Sequence, residues 1–319
     1  MAARTLGRGP ALLVPSPVVE LGDERLQARG VRLLLKRDDL IHPDLPGNKW
    51  RKLHHNLAAA AEQGHDTLLT FGGAYSNHIA ATAAAGWHYG FATIGVIRGE
   101  EHRPLNPVLA GAVSRGMRLT YLDRTRYRNK RDPALLAELR DRFGRFYPLP
   151  EGGSNELAVR GCAELAAEIV GQVPDVDVVC CPVGTGGTLA GIAGGLGPGR
   201  RAVGVAVLKG AGFLTGEVAA LQRAEFGATS GNWTVAEEFH FGGYARRSSI
   251  LDGFIADFAA RHGLVLEWVY VAKMMFGLYA MVADGRIPAG STVVAVITGP
   301  CEDVAGSPEP PARLHRHGR

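Results

Sequence analysis

The sequence predicts an α/β fold with mainly parallel sheets, organised as one large or two modest domains. Short apolar runs alternate with Ala-rich stretches of helical period, the order expected where strands are joined by crossover helices. A chain of 319 residues exceeds what a single core usually organises. With 46% hydrophobic and 21% charged residues it has the balance of an ordinary globular protein, neither disordered nor membrane-embedded.

In chain order, an apolar strand is expected at 31–35. After a turn through Pro46-Gly-Asn, an Ala-rich helix follows at 49–63. The strand at 67–71 leads through a glycine turn into a second Ala-rich helix at 77–86, and a strand follows at 92–96. Helices at 107–115, 133–143 and 158–170 come next. An apolar strand at 176–181 runs into a Gly/Thr loop and a helix at 188–195, and a strand follows at 202–207. Helices at 250–262 and 273–284 and a last strand at 292–298 close the series. No internal repeat is visible. Beyond Glu302 the chain turns to Gly, Pro, Arg and His without apolar period, so 304–319 is expected to be a disordered tail, with only a weak metal pattern in His315 and His317.

The formal charge of +4 is small for this length. Its excess sits in Arg124, Arg126, Arg128, Lys130 and Arg131 and in Arg313, Arg316 and Arg319, which read as solvated faces, so no nucleic-acid partner is expected. Cys162, Cys180, Cys181 and Cys301 form no CxxC pair or Cys/His cluster. They read as buried reduced thiols, and no metal ligand set is assigned. Residues 1–15 lack a signal-peptide pattern and no apolar run is long enough to cross a bilayer. The expectation is a cytoplasmic protein without a membrane partner.

Three segments bear chemistry. In Lys36-Arg-Asp-Asp followed by Pro46-Gly-Asn-Lys-Trp-Arg-Lys52, Lys49 falls in the first turn of a helix. The positive end of the macrodipole disfavours a charged amine there, which suits imine formation and proton abstraction. The bland alternative is an exposed lysine in a cluster with Arg51 and Lys52. In Gly72-Gly-Ala-Tyr-Ser-Asn-His78, a glycine turn opens a helix whose free N–H groups suit a carboxylate, with a plain Ser or Asn cap as the alternative. In Pro182-Val-Gly-Thr-Gly-Gly-Thr-Leu-Ala-Gly191, a strand, a Gly/Thr loop and a helix N-terminus make the parts of a phosphate cradle, with the Thr185 and Thr188 hydroxyls as donors. The loop has neither a Walker ending nor a dinucleotide fingerprint, so a small phosphate ester fits better than a nucleoside triphosphate.

Taken together, Lys36-Arg-Asp-Asp, Gly47-Asn-Lys-Trp-Arg-Lys, Ser76-Asn-His and Gly184-Thr-Gly-Gly-Thr resemble the 1-aminocyclopropane-1-carboxylate (ACC) deaminase and D-cysteine desulfhydrase family. These are fold-type-II, tryptophan-synthase-β-like pyridoxal 5′-phosphate (PLP) enzymes. The resemblance runs from about Val14 to Pro300 and implies a larger PLP-binding domain of 1–51 and 163–303. A smaller α/β domain of 52–162 would be inserted in it, with the cofactor in the cleft between them. It implies Lys49 as the Schiff-base lysine and as the base for the Cα proton. Asn77 would face the PLP phenolic oxygen, Ser76, Asn77 and His78 would receive the substrate carboxylate, and Gly184, Thr185, Gly186, Gly187 and Thr188 would hold the phosphate. Tyr244 and Tyr270 match active-site tyrosines, and Thr298 would be a neutral partner for the pyridine nitrogen. A homodimer is also implied.

The departures bear on the substrate. ACC deaminases resemble one another in having Glu directly after the second tyrosine, where this chain has Val271; D-cysteine desulfhydrases usually have Thr. Tyr75 stands where Gln is common, and Ile297-Thr-Gly-Pro300 replaces a His-Thr-Gly-Gly run. Ser76-Asn-His and Glu151-Gly-Gly-Ser-Asn155 look more like the desulfhydrase side. The resemblance thus implies a lyase or deaminase of a small amino acid, acting by Cα deprotonation and β-elimination to a 2-oxo acid and ammonia, with D-cysteine as first guess. ACC deamination, racemisation, β-replacement and a PLP-binding homologue without turnover are the alternatives.

Overall fold

The computed structural model of the protein describes residue 7 and residues 9–304. Its elements are β1 (Val18–Leu21), α1 (Glu24–Gln27), β2 (Arg32–Lys36), α2 (Asn48–Glu62), β3 (Thr67–Gly72), α3 (Asn77–Tyr89), β4 (Ala92–Arg98) and α4 (Pro107–Ser114). Next come β5 (Met117–Leu122), α5 (Arg124–Arg128), α6 (Pro133–Phe143), β6 (Tyr147–Leu149), α7 (Glu156–Gln172), β7 (Val178–Val183) and α8 (Gly187–Gly195). The chain then forms β8 (Arg201–Ala206), α9 (Phe213–Phe226), β9 (Trp233–Ala236), α10 (Ser249–His262), β10 (Leu264–Val265), α11 (Val271–Ala283), β11 (Thr292–Val296) and β12 (Glu302–Asp303).

Two sheets organise these elements. One has the order β1-β2-β11-β7-β8-β9 and is parallel except for the edge strand β1. The other has the order β5-β4-β3-β6 and is parallel throughout. A short antiparallel pair, β10 with β12, lies apart. Successive side chains of a strand point to opposite faces, and β7 obeys this strictly. Val178 and Cys180 pack with Val271, Met274 and Leu278 of α11, whereas Val179, Cys181 and Val183 pack with α7 and α8 through Leu165, Leu189 and Ile192. Every residue of β7 is buried, as expected of a central parallel strand covered on both faces. The Cys162, Cys180 and Cys181 thiols are free and buried, and Cys301 is free but only half-buried.

The expected boundaries at 51/52 and 162/163 both fall inside helices, α2 and α7, which pack against each other; α7 also packs along α8. Gly161 lets the first pair close up, since a Cβ there would lie 1.9 Å from the Arg51 carbonyl oxygen. Val304, expected in the tail, donates its amide to the Gly263 carbonyl at 2.8 Å, while 305–319, including His315 and His317, lie outside the described residues. Among the described residues no helix is long and apolar enough to cross a membrane.

Candidate active site

The chemical segments all leave the C-terminal ends of parallel strands, where open α/β sheets bind ligands. The Lys49 segment follows β2, the Ser76 turn follows β3, the glycine loop follows β7 and Thr298 follows β11. Strands β2, β11 and β7 are neighbours, so three of the four emerge side by side.

Lys49 is the second residue of α2, entered through Gly47 at φ +65°. Only glycine fits there: beyond the positive φ, a Cβ would lie 1.9 Å from the Thr298 carbonyl oxygen. The lysine turn is thereby pressed against the end of β11. Lys49 Nζ donates to Asn48 Oδ1 at 2.8 Å, and Asn48 Nδ2 donates to Thr188 Oγ1 at 2.7 Å, which ties the lysine turn to the glycine loop. Burial, and then the charge of Lys52, pull the Lys49 amine from 10.5 down to about 7. The shift is in the direction expected for this lysine, with desolvation as its first cause rather than the helix end.

The glycine loop fits a phosphate. Gly186, at φ +83°, turns the chain into α8, and a Cβ on Gly187 would meet Ser154 Oγ at 2.6 Å and Lys52 Nζ at 3.3 Å. The amides of this turn therefore line a space that only a glycine leaves open. Lys52, given no role in the sequence reading, is buried and donates to the Gly152 carbonyl at 3.1 Å and Ser154 Oγ at 3.0 Å. Ser154 Oγ is 2.7 Å from Thr185 Oγ1. A buried ammonium, two threonine hydroxyls and a helix N-terminus form a donor set matched to a phosphate dianion.

Ser76 caps α3, its Oγ accepting from the amides of His78 at 3.2 Å and Ile79 at 3.4 Å. This corrects the expectation of open amides at this helix start: those two already have a partner, because the short Ser76 side chain folds back onto them. The Ser76 hydroxyl keeps its own hydrogen to donate. Half-buried Asn77 opens α3, and the His78 ring points inward, its Nε2 2.8 Å from Thr70 Oγ1. Burial and the charges of Lys49 and Lys52 hold the His78 imidazole well below its usual range, so the lysine and Ser-Asn-His motifs share one electrostatic neighbourhood.

Tyr270 lies against the glycine loop, its Cε1 3.4 Å from where a Gly184 Cβ would be. Tyr244 meets it edge to face with ring centroids 5.8 Å apart. Burial and the neighbouring Tyr244 raise the Tyr270 phenol well above its usual value, so it keeps its proton at neutral pH. The loop bearing Tyr244 is strained, with Phe241 and Ala245 both at φ +50°. Buried Lys273 pins it by donating to the carbonyls of His240 at 2.9 Å and Gly243 at 2.7 Å. Thr298 is buried next to Gly47. Val271 is fully buried at the start of α11, and its amide, with those of Val269 and Tyr270, donates to the Glu267 carboxylate at 2.6 to 3.3 Å.

The chain matches the family of pyridoxal-phosphate-dependent enzymes over residues 5–299. It belongs to this family. A protein of Thermotoga maritima provisionally named 1-aminocyclopropane-1-carboxylate deaminase is 31% identical over 84% of this chain and 89% of its own. A D-cysteine desulfhydrase of Klebsiella pneumoniae is 31% identical over 94% of this chain and 96% of its own. The crystal structure of an ACC deaminase homologue superposes with a TM-score of 0.79, 27% identity and 92% coverage of both chains. A threonine deaminase from Solanum lycopersicum, at 18% identity and a TM-score of 0.64, shares the fold. This PLP enzyme accordingly has the fold-type-II architecture, and its cofactor is pyridoxal phosphate.

Sequence reasoning took Lys36-Arg-Asp-Asp as part of the chemical segment, but its side chains form scaffold. Buried Lys36 donates to Glu168 and Gln172, Arg37 pairs with Asp39, and Asp38 pairs with Arg51. It missed Lys52, Asn48, Ser154 and Glu267. The Gly152–Ser154 loop was visible only as a family marker, and nothing local in the sequence says that it meets Lys52.

Proposed function

We propose that this PLP enzyme is a β-eliminating lyase of a small amino acid, D-cysteine or a similar β-substituted D-amino acid, giving a 2-oxo acid and ammonia. Val271 carries the reading: an apolar, fully buried side chain stands at the start of α11, and the acid in the segment just before that helix, Glu267, is held by three backbone amides. The pyridine nitrogen is then left to Thr298, a neutral partner. That suits a reaction in which the leaving group removes the electrons, and suits cyclopropane opening poorly. The near full-length likeness to a D-cysteine desulfhydrase supports the same side of the family.

In this reading Lys52, Thr185, Thr188 and the amides of 184–188 hold the phosphate, and Asn77 faces the phenolic oxygen. When bound, the cofactor supplies the electron sink that acidifies the substrate Cα–H bond. Lys49 Nζ would hold the cofactor and, as an amine whose pKa burial lowers to about 7, would serve as the base for the substrate Cα proton. The Ser76 hydroxyl orients the carboxylate at the start of α3. Tyr270 Oη, protonated at neutral pH, would donate a hydrogen bond beside Gly184, with Tyr244 edge to face against the Tyr270 ring. The larger unit of 1–51 and 163–303, the inserted unit of 52–162 and a homodimer complete the proposal.

Assaying 2-oxo acid and ammonia from D- and L-cysteine, β-chloro-D-alanine and ACC tests it, with Val271→Glu alongside. Turnover of a β-substituted amino acid with little or none of ACC is the expected result. Efficient ACC turnover by the unaltered protein, or racemisation or replacement without 2-oxo acid, would overturn it.

A further inference from the structure

Outside the residues assigned to the cofactor, the helix pair α2–α7 holds a second constellation. His54 Nε2 lies 3.0 Å from Glu164 Oε2, and His55 Nε2 lies 2.6 Å from Glu164 Oε1, so one carboxylate faces two imidazoles with both its oxygens. The three candidate ligand atoms all lie within 4.8 Å of one another. The two rings are 4.0 Å apart between centroids.

The His54 ring is fixed from three sides. It stacks on Trp50 one turn earlier at 5.4 Å and packs over Gly161, where a Cβ would come within 2.7 Å of its Cε1. Its Nδ1 lies 3.1 Å from the Arg51 carbonyl oxygen. A carbonyl only accepts, so Nδ1 bears the hydrogen and the Nε2 lone pair of the neutral ring is aimed at a carboxylate oxygen. His55 can meet its oxygen with an ordinary N–H. In that neutral tautomer the His54 contact sets lone pair against lone pair, and either a second ring proton or a metal cation must lie between them. A backbone carbonyl on Nδ1 is also the usual orienting partner of a metal-binding histidine.

We propose that His54, His55 and Glu164 bind a divalent transition cation of borderline softness, such as zinc, which clamps α2 to α7. Bonds of about 2.0–2.2 Å to nitrogen and oxygen put neighbouring ligands of a tetrahedral ion roughly 3.3 Å apart, near the 3.0 Å His54 contact, while the 2.6 Å His55 contact must open by a rotation of the partly exposed side chains; a fourth position is left for water. Two imidazoles select zinc, nickel or copper over magnesium or calcium. A second group, His42, Asp44 and His88, does not offer the same: the Arg115 guanidinium already pairs with Asp44 at 2.5 Å, and His42 Nδ1 accepts the Asp44 amide at 3.1 Å.

The test is a zinc titration of chelator-stripped holoenzyme against a competing chromophoric indicator, with thermal midpoints recorded in parallel. One equivalent should bind per chain at micromolar dissociation constant or below and raise the midpoint. His55→Gln and Glu164→Gln, both at partly exposed positions, should each weaken binding at least tenfold and abolish the rise, with cofactor absorbance unchanged, while His88→Gln leaves binding intact. Cobalt in the unaltered protein should give the visible bands of a four-coordinate nitrogen and oxygen site. Absence of stoichiometric binding, binding that either ligand variant leaves undiminished, or six-coordinate cobalt bands would overturn the proposal.

Discussion

Two amines three residues apart on α2 sit in one buried neighbourhood and are put to different uses. In its proposed role Lys49 must be neutral to attack the cofactor aldehyde, and its amine is drawn down to about 7, chiefly by burial. The protonated fraction therefore falls as pH rises through that value, and reconstitution of the apoenzyme with PLP should accelerate over the same interval. Stopped-flow absorbance across a pH series measures this, and a midpoint near 10.5, the ordinary lysine value, would refute it. Lys52, whose amine burial also lowers, is proposed instead to hold the phosphate at the glycine loop. Lys52→Met should raise the PLP dissociation constant roughly 10- to 150-fold, the equivalent of a lost charged hydrogen bond of about 1.5–3 kcal/mol. Equilibrium dialysis of the variant gives the number directly. Lys49, Ser76 and the 184–188 loop could be singled out as candidates because each lies in one short stretch with its own turn chemistry. The Lys52 contacts with Gly152 and Ser154 span about a hundred residues of chain, and no local pattern announces them.

At the scale of elements, the helices and strands that surround the site were readable within a few residues. Those that were not had weak signals for physical reasons. Helix α9 buries only Leu214, Val218 and Gln222 and has Gly216 inside it, so its apolar stripe is thin. Strand β5 alternates in burial but contains Arg118, and β6 is three residues long. The pairing of α2 with α7 was not foreseen, since its determinant is a missing side chain at Gly161. Gly161→Ala should push a Cβ into the Arg51 carbonyl and destabilise the protein by about 1–3 kcal/mol. Urea unfolding would show this as a lower midpoint at unchanged slope. Gly47→Ala should act differently. Its strain falls directly on the lysine turn, so PLP affinity should drop along with stability, whereas Gly161→Ala strains the α2–α7 contact first and should lower stability more than affinity.

At the scale of the whole molecule, β2, α2 and α7 meet in one buried ionic network. Arg51 holds Asp38 at 3.0 Å and Glu168 at 2.5 Å, and Lys36 holds Glu168 at 2.8 Å and the Ser16 carbonyl at 2.8 Å. Removing one partner strands the others, so Glu168→Ala should cost about 3–5 kcal/mol, measurable by chemical denaturation. Burial alone would raise the Glu168 carboxyl, but hydrogen bonds from Arg51 and Lys36 outweigh it and hold the group below its ordinary 4.5. Its contribution is therefore intact above that value and is lost as pH falls through the lowered one. Acid unfolding of Glu168→Gln should accordingly begin from a lower plateau and show a shallower decline than that of the unaltered chain. The six- and four-stranded sheets were anticipated as an α/β arrangement. The network that fastens them was not, because the Lys36-Arg-Asp-Asp run reads equally well as chemistry or as scaffold.

Among the residues of α2 only Glu62 is exposed. The helix therefore has almost no face on which drift is free. One side serves the cofactor, another the ionic network, another α7 and the imidazole pair. A saturation-mutagenesis profile should show intolerance all the way round this helix, without the four-residue ripple of an ordinary amphipathic one. Divergence in substrate choice within such a scaffold would then have to accumulate elsewhere, in exposed loop positions such as Tyr75 and Tyr244, while the lysine helix changes slowly.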